Sequence, residues 1–254
     1  MSFLAAIRFL TSIPVPWLQE HWQHKLSREQ FARSLPYYPV VGLIIGLILA
    51  GLSWLLALFL PHALVSGLLL AALVGLSGGL HLDGFIDTVD GLAAGHSNAE
   101  RRKKIMHQGG VGAIGVVAVI VLLLVKYIAL NDVPEASLMA VLVLVPVVGR
   151  WAMVYAVFFY PYGNPQGMGK ELKEGVGWWG FMAATIVTLA VVIALAQVAG
   201  LVMMATVWLM IVTAAAFLKG KLGGLTGDTY GSINEVAEVL VLILVVLISF
   251  NGWF

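Results

Sequence analysis

Acidic residues recur at a regular spacing directly after a long apolar run. Asp83, Asp87 and Asp90 stand at positions i, i+4 and i+7, so a helix would place their carboxylates on one face. Three like charges on one stripe repel each other, and a bound divalent cation would relieve that repulsion. The stretch therefore predicts a site for a hard cation such as Mg²⁺ or Ca²⁺. The alternative is a helix end or loop whose acids point into water.

A second polar stretch, residues 219–231, is rich in glycine and lysine. Glycines let backbone N–H groups approach an anion closely, and the lysine side chains add positive charge. The candidate substrate-binding residues of this stretch are Lys219, Lys221, Gly224 and Thr226. A flexible turn without a ligand is the other interpretation.

Three more acids accompany the second stretch. Asp228 lies within it, and Glu235 and Glu238 follow three residues apart at the predicted start of the last apolar run. That spacing places both glutamates on one helix face. A second group of carboxylates at the same membrane interface favours a functional site over a turn.

Isolated basic and imidazole side chains complete the set of candidates. His81 and His107 flank the acidic stretch, and either is able to hydrogen-bond a phosphate, although a lone histidine is more often structural. Arg150 lies near the middle of an apolar run, where a charge is costly and usually faces a partner or a cavity. We expect Arg150 to have a function or to form an ion pair that supports the site. Lys126 is expected to extend to the membrane interface.

Composition decides which environment holds these residues. Of the 254 residues, 61% are hydrophobic and 11% are charged, whereas soluble domains carry about 25% charged residues. The chain is therefore an integral membrane protein, in contact with membrane lipid. A net charge of +1 excludes a nucleic-acid partner. The absence of cysteine excludes disulfides and thiolate metal sites.

Apolar runs of suitable length predict the membrane spans. A helix needs roughly 20 apolar residues to cross a bilayer, and seven segments meet that need. They are 36–60, 63–80, 111–130, 137–160, 178–197, 200–218 and 236–254. The break at residues 197–200 is the weakest, and without it the count is six. The predicted fold is an all-α polytopic membrane bundle, with residues 1–254 forming a single domain.

The distribution of positive charge predicts the orientation. If the N-terminus is cytoplasmic, 12 of the 14 basic residues fall on the cytoplasmic side, as the positive-inside rule requires. The polar loops near 81–110, 161–177 and 219–238 then share that side. Carboxylates, lysines and glycines on one face indicate metal-assisted phosphoryl transfer at the cytoplasmic surface.

Several of these segments together resemble the cobalamin synthase family, the adenosylcobinamide-GDP ribazoletransferases of the bacterial inner membrane. The segments follow the family's order and extend over nearly the whole chain. They are 8–16, 78–92, 105–106 leading to 112–116, 149–150 and 223–231, followed by Glu235 and Glu238. Three positions depart from the family's usual pattern, because Gln108 replaces an aspartate, Asn164 replaces an arginine and Gln166 replaces a glutamate.

The resemblance implies a reaction and a metal. In that reaction α-ribazole, or its 5′-phosphate, attacks adenosylcobinamide-GDP, releases GMP and gives adenosylcobalamin or its phosphate, with Mg²⁺ required. Asp83, Asp87 and Asp90 would be metal ligands and catalytic residues, completed by Asp228, Glu235 and Glu238. The resemblance leaves open which carboxylate accepts the proton, and whether the enzyme is a homo-oligomer.

Two other functions are compatible with parts of the sequence. A CDP-alcohol phosphotransferase of phospholipid synthesis also clusters aspartates, but its motif requires an Ala-Arg pair where this chain has Asp87 and Thr88. A secondary transporter would explain Arg150 and the glycines within the spans. However, the acids lie at one interface and no inverted repeat is visible.

Overall fold

The computed structural model of the protein describes residues 2–14, 28–94, 98–106, 110–164, 168–175 and 177–250. Over these residues the backbone is helical, apart from turns, short connections and one isolated parallel bridge between Tyr162 and Leu225. The prediction of an all-α polytopic membrane protein is confirmed.

Eleven helices form the described part of the chain. The first six are α1 Ser2–Leu10, α2 Arg28–Ala32, α3 Tyr38–Ala57, α4 His62–Leu76, α5 Leu80–Ala93 and α6 Ala99–Met106. The other five are α7 Ala113–Asn131, α8 Glu135–Phe159, α9 Met168–Gly175, α10 Trp178–Leu222 and α11 Gly227–Phe250. A 3-10 turn, Leu35–Tyr37, leads into α3.

Helix α8 is the centre of the bundle. In its most apolar window 89% of the residues are buried, against 28% to 44% in the other spanning helices. A helix that is apolar on every side is suited to such a position. Helices α3, α10 and α11 pack directly on α8, so their lipid-facing sides remain exposed.

Glycines allow α3 to approach α8 closely. A Cβ atom added to Gly42 would lie 2.4 Å from the carbonyl oxygen of Pro146, and one added to Gly46 would lie 2.6 Å from the Cα of Val143. The Gly42/Gly46 pair therefore packs as its small-residue spacing predicts. Gly75 and Gly79 have the same spacing, which would also predict close packing, but no described residue lies within 4 Å of a Cβ added to either, so this pair makes no such contact.

Substitution of Gly42 by alanine is expected to destabilise the bundle by about 1 to 3 kcal/mol. The added methyl group meets the main chain of Pro146, which cannot rotate away as a side chain can. Thermal unfolding of the purified protein in detergent measures the effect. Gly51→Ala is the matched control on the same helix, because no atom of the described residues lies within 4 Å of its Cβ position. Equal unfolding temperatures for the two variants would show that α3 and α8 separate without cost.

Helix α10 reverses direction in its middle. Gln197 has non-helical dihedral angles, φ 47° and ψ −128°, and a Cβ added to Gly200 would lie 2.8 Å from the carbonyl oxygen of Val192. In a continuous helix, residues eight apart are roughly 12 Å apart, so the arms 178–196 and 198–222 fold back on each other. The predicted break near residue 197 is confirmed.

The span count follows from this reversal. By length and composition, five helices are able to cross a membrane, and the pair α4 and α5 makes a sixth span. Counting the two arms of α10 separately gives seven, the predicted number, although the predicted segment 63–80 reaches spanning length only together with α5. The pair α4 and α5 is bent by 86°, with Gly78 and Gly79 in the left-handed conformation between them, at φ 63° and 70°.

Candidate active site

The bend after α4 directs α5 against the beginning of α11. A Cβ added to Gly84 would lie 2.8 Å from the backbone oxygen of Asp228, and one added to Gly231 would lie 3.1 Å from the Cα of His81. The two backbones therefore touch. This contact brings the acidic stretch and the glycine-rich stretch of the sequence together at one end of the bundle.

Two connecting segments join above this contact. The N–H of Gly163 donates to the carbonyl of Leu225 at 2.7 Å, and the N–H of Leu225 donates to the carbonyl of Pro161 at 2.9 Å. Gly224 is required at this bridge because an added Cβ would lie 2.5 Å from the Cα of Gly163. From α6, the ammonium group of Lys103 donates to the Gly163 carbonyl at 2.8 Å. All three predicted polar loops thus contribute to one structure.

A cavity of about 320 Å³ lies beneath the bridge. Its polar lining comes from α5, from the bridged segments and from the start of α11, and consists of His81, Asp83, Tyr162, Asn164, Thr226 and Asp228. Its apolar lining includes Phe9 of α1 and Met153 and Val157 of α8. Sequence reasoning did not identify the aromatic lining residues Tyr38, Tyr162 and Tyr230, which carry no motif of their own.

The lining residues of the cavity lie at different depths. Asp83 is exposed and Asp228 is half-buried, so the carboxylates mark the mouth. His81 is 1% exposed and Tyr230 is 2% exposed, so these side chains mark the interior. A ligand that enters would meet charge first and aromatic surface afterwards.

Thr226 shapes the first turn of α11. Its N–H donates to Oγ1 of Thr229 at 2.8 Å, and its own Oγ1 accepts from the N–H of Thr229 at 3.3 Å. Such reciprocal bonds cap a helix N-terminus. The Thr226 hydroxyl also lies 3.4 Å from Oδ2 of Asp228. Thr226 therefore fixes the position of a carboxylate at the cavity mouth.

Tyr162 covers one wall of the cavity. Its ring lies against Gly169, where an added Cβ would be 2.3 Å from Cε2 of the tyrosine, and it stacks on Tyr230 with 6.4 Å between ring centroids. Burial, and then the charge of Asp228, raise the pKa of the Tyr162 hydroxyl. The phenol consequently keeps its proton at neutral pH and stays a hydrogen-bond donor.

Asp90 binds a helix end. Its carboxylate accepts hydrogen bonds from the N–H groups of Gly112 at 2.7 Å and Gly115 at 2.8 Å, which are among the unpaired donors at the start of α7. Each glycine leaves the space that the carboxylate fills. Asp90 thus has partners other than a cation. Asp87 is half-buried, one turn from Asp83 on the same helix.

The two glutamates of α11 belong to a buried ion cluster. Lys126 Nζ lies 2.6 Å from Oε2 of Glu235 and 2.5 Å from Oε2 of Glu238, and Arg150 pairs with Oε1 of Glu238. Asn234 also donates to Glu238, at 3.0 Å. All these side chains are almost fully buried. Of the two roles expected for Arg150, the structure shows an ion pair, and Arg150 is absent from the cavity lining.

The expected positions of Lys126 and of the start of the last helix are both wrong. Lys126 does not extend to the interface, because it is 2% exposed and points to the glutamates. Helix α11 begins at Gly227 rather than near residue 236, so Glu235 and Glu238 lie two to three turns inside it. Their carboxylates therefore face two buried cations instead of the membrane surface.

The six acids predicted as one ligand set consequently lie in different surroundings. Among the residues that the structure describes, no group of three or more His, Asp or Glu side chains is close enough to hold a metal ion. Asp83 and Asp228 nevertheless line one cavity with the oxygens of Asn164 and Thr226. Mg²⁺ in proteins is usually held by one or two carboxylates, waters and substrate phosphates, so this donor set fits that ion.

The remaining candidates lie outside the cavity or outside the described residues. Lys219 and Lys221 are exposed in the last turn of α10 and are absent from the cavity lining. Cations at a helix C-terminus interact favourably with its dipole. His107 and Gln108 fall outside the described ranges. Gln166 also falls outside them, and Asn164, the remaining departure from the family pattern, lines the cavity.

Comparison with known proteins agrees with this arrangement. The family model described as cobalamin-5-phosphate synthase matches residues 2–246. An adenosylcobinamide-GDP ribazoletransferase of Roseiflexus is 37% identical over 93% of this chain and 86% of its own length. The enzyme of that name from Desulforamulus reducens is 34% identical over 97% of this chain and 96% of its own length. The one from Synechococcus is 40% identical over 93% of this chain and 92% of its own length.

No solved structure matches the chain. The family match nevertheless includes α5, the central helix α8 and the start of α11, which together build the cavity and the ion cluster beside it. On this evidence, the chain belongs to the cobalamin-5-phosphate synthase family.

Proposed function

We propose that the protein joins adenosylcobinamide-GDP to α-ribazole or its 5′-phosphate, releasing GMP and forming adenosylcobalamin or its phosphate. The observation that carries the proposal is the pair of carboxylates, Asp83 and Asp228, which two different helices contribute to one cavity. The names of the relatives support the choice of substrates. Neither a phospholipid enzyme nor a transporter has comparable support.

The reaction requires attack by a ribazole hydroxyl oxygen on the corrinoid-side phosphorus. One P–O bond forms, the P–O bond to GMP breaks, and the hydroxyl proton passes to a carboxylate of the site. Mg²⁺, when bound, would neutralise charge on the phosphates as GMP departs. Asp83 and Asp228 would hold that ion, with Asp87 one turn further along α5.

We also propose that the bundle lies in the inner membrane with the cavity on the cytoplasmic side. Trp54 and Phe59 are exposed on α3 and its C-terminal connection, and Trp178 and Trp179 are exposed at the start of α10. The start of α10 lies beside the beginning of α3, because Gly180 faces Pro36, so the two aromatic groups lie toward opposite ends of the bundle. Aromatic residues favour both membrane interfaces. The cavity end also carries the exposed cations Lys219 and Lys221, so by the positive-inside rule the site faces the cytoplasm.

A turnover assay tests the function. Purified protein in detergent or liposomes receives adenosylcobinamide-GDP, α-ribazole and Mg²⁺, and GMP and corrinoid products are followed together. We expect GMP and cobamide to form in equal amounts, to stop when EDTA is added and to resume with excess Mg²⁺. GMP release without cobamide, or no product from protein shown to be folded, would contradict the proposal.

A further inference from the structure

The size of the cavity suits a single small nucleoside. A volume of about 320 Å³ is at the lower end of the range for small-molecule sites, which is roughly 300 to 1,000 Å³. A corrin macrocycle joined to GDP is far larger than α-ribazole. The larger substrate therefore has to remain at the mouth, and only the smaller one fits inside.

The gradient of polarity gives the smaller ligand a direction. The interior contains the buried side chains of Met153, Val157 and Tyr230. The half-buried rings of Phe9 and Tyr162 border it, and the Tyr162 ring stacks on Tyr230. A flat aromatic base gains free energy by burial against such a surface. With the base inside, the ribose extends outward, and its hydroxyl approaches Asp83 and Asp228 at the mouth.

The interior also contains a polar group without a partner. The hydroxyl of Tyr230 is buried and has no hydrogen-bond partner among the described residues, a state that costs free energy. The ring nitrogens of His81 are likewise unpaired, but His81 interacts electrostatically with Arg150, Glu238 and Lys126 of the ion cluster. The buried Tyr38 hydroxyl also lines the cavity without a geometric hydrogen-bond partner, but it interacts with Ser34. Tyr230, which stacks on Tyr162 in the cavity wall, is therefore the clearest donor for a ligand in the cavity.

We propose that this cavity is the nucleoside subsite, in which the base is buried and the Tyr230 hydroxyl donates a hydrogen bond to its unsubstituted ring nitrogen. The inference rests on the proposed function. It assigns the ribazole to the interior of the bundle and the corrinoid to the mouth. It also predicts that the enzyme selects bases that present a nitrogen acceptor at that position.

Binding measurements test the hydrogen bond without turnover. Calorimetry on the protein in detergent compares α-ribazole with an analogue in which a C–H group replaces the unsubstituted ring nitrogen. We expect the unmodified protein to bind α-ribazole about ten-fold more tightly, the effect of one hydrogen bond. Tyr230→Phe, which removes only the hydroxyl, should bind both compounds alike and should leave the KM for adenosylcobinamide-GDP unchanged.

A matched variant and the assay for cobamide formation separate failure of the subsite from failure of the proposed function. Tyr155→Phe removes a phenol on α8 that is absent from the cavity lining, and it should keep the ten-fold preference. A Tyr230→Phe protein that keeps the preference, or that changes only the KM for adenosylcobinamide-GDP, would overturn the inference. If the unmodified protein forms cobamide but binds α-ribazole and its C–H analogue equally, the nucleoside subsite is wrong and the proposed function stands. Preferential binding without cobamide formation would overturn the proposed function alone.

Discussion

Replacement of Asp83 by asparagine is expected to lower turnover by about 10²- to 10³-fold, the usual loss when one stabilising group of a transition state is removed. The side chain is exposed at the cavity mouth, so the bundle does not depend on it for packing. Asparagine keeps the shape but lacks the charge that holds a divalent cation. Initial rates of GMP release at saturating substrates measure the effect.

Asp132→Asn provides the matched control for Asp83. Asp132 is an exposed aspartate at the C-terminal end of α7, outside the cavity lining, and the substitution should leave turnover unchanged. Circular dichroism and thermal unfolding should be the same for both variants. Near-normal turnover of Asp83→Asn would remove this residue from the proposed ligands of Mg²⁺.

Substitution of Lys126 by methionine is expected to cost about 3 to 5 kcal/mol of stability, as is typical when one partner of a buried ion pair is removed. The formal charges of the cluster balance, since Lys126 and Arg150 face Glu235 and Glu238. Methionine replaces the aliphatic part of the lysine but leaves a net negative charge in a buried site. Thermal unfolding in detergent measures the loss.

A double variant separates charge balance from packing. Lys126→Met combined with Glu235→Gln removes one charge of each sign and leaves the pair of Arg150 and Glu238 intact. This protein should be markedly more stable than Lys126→Met alone, because buried pairs removed together are often replaced at little cost. If both proteins unfold at the same temperature, charge compensation is not what stabilises the cluster.

The features that depend on local sequence were predictable. Apolar runs gave the spans, and the helical spacing of Asp83, Asp87 and Asp90 placed them correctly on one helix. The reversal at Gln197 was also predicted, although its signal was weak. These properties depend on a few consecutive residues, so the surrounding bundle does not alter them.

The features that depend on packing were not predictable. Lys126 and Glu238 are 112 residues apart in the chain, and nothing local shows that they meet. Asp90 binds N–H groups of α7 because that helix happens to begin beside it. One signal was present nonetheless, since a buried lysine in one span and two glutamates in another have to compensate each other.

The ion cluster also has a consequence for biosynthesis. Its cations lie on α7 and α8, and its anions lie on α11, which the ribosome completes about a hundred residues later. Insertion of a lone charge near the middle of a span, where Arg150 lies in α8, costs about 2.5 to 3.5 kcal/mol. This unfavourable free energy persists in the growing chain until α11 is inserted beside α7 and α8. Maturation of this protein is therefore a late event, in which entry of α11 both neutralises the membrane interior and supplies Asp228 and Tyr230 to the cavity.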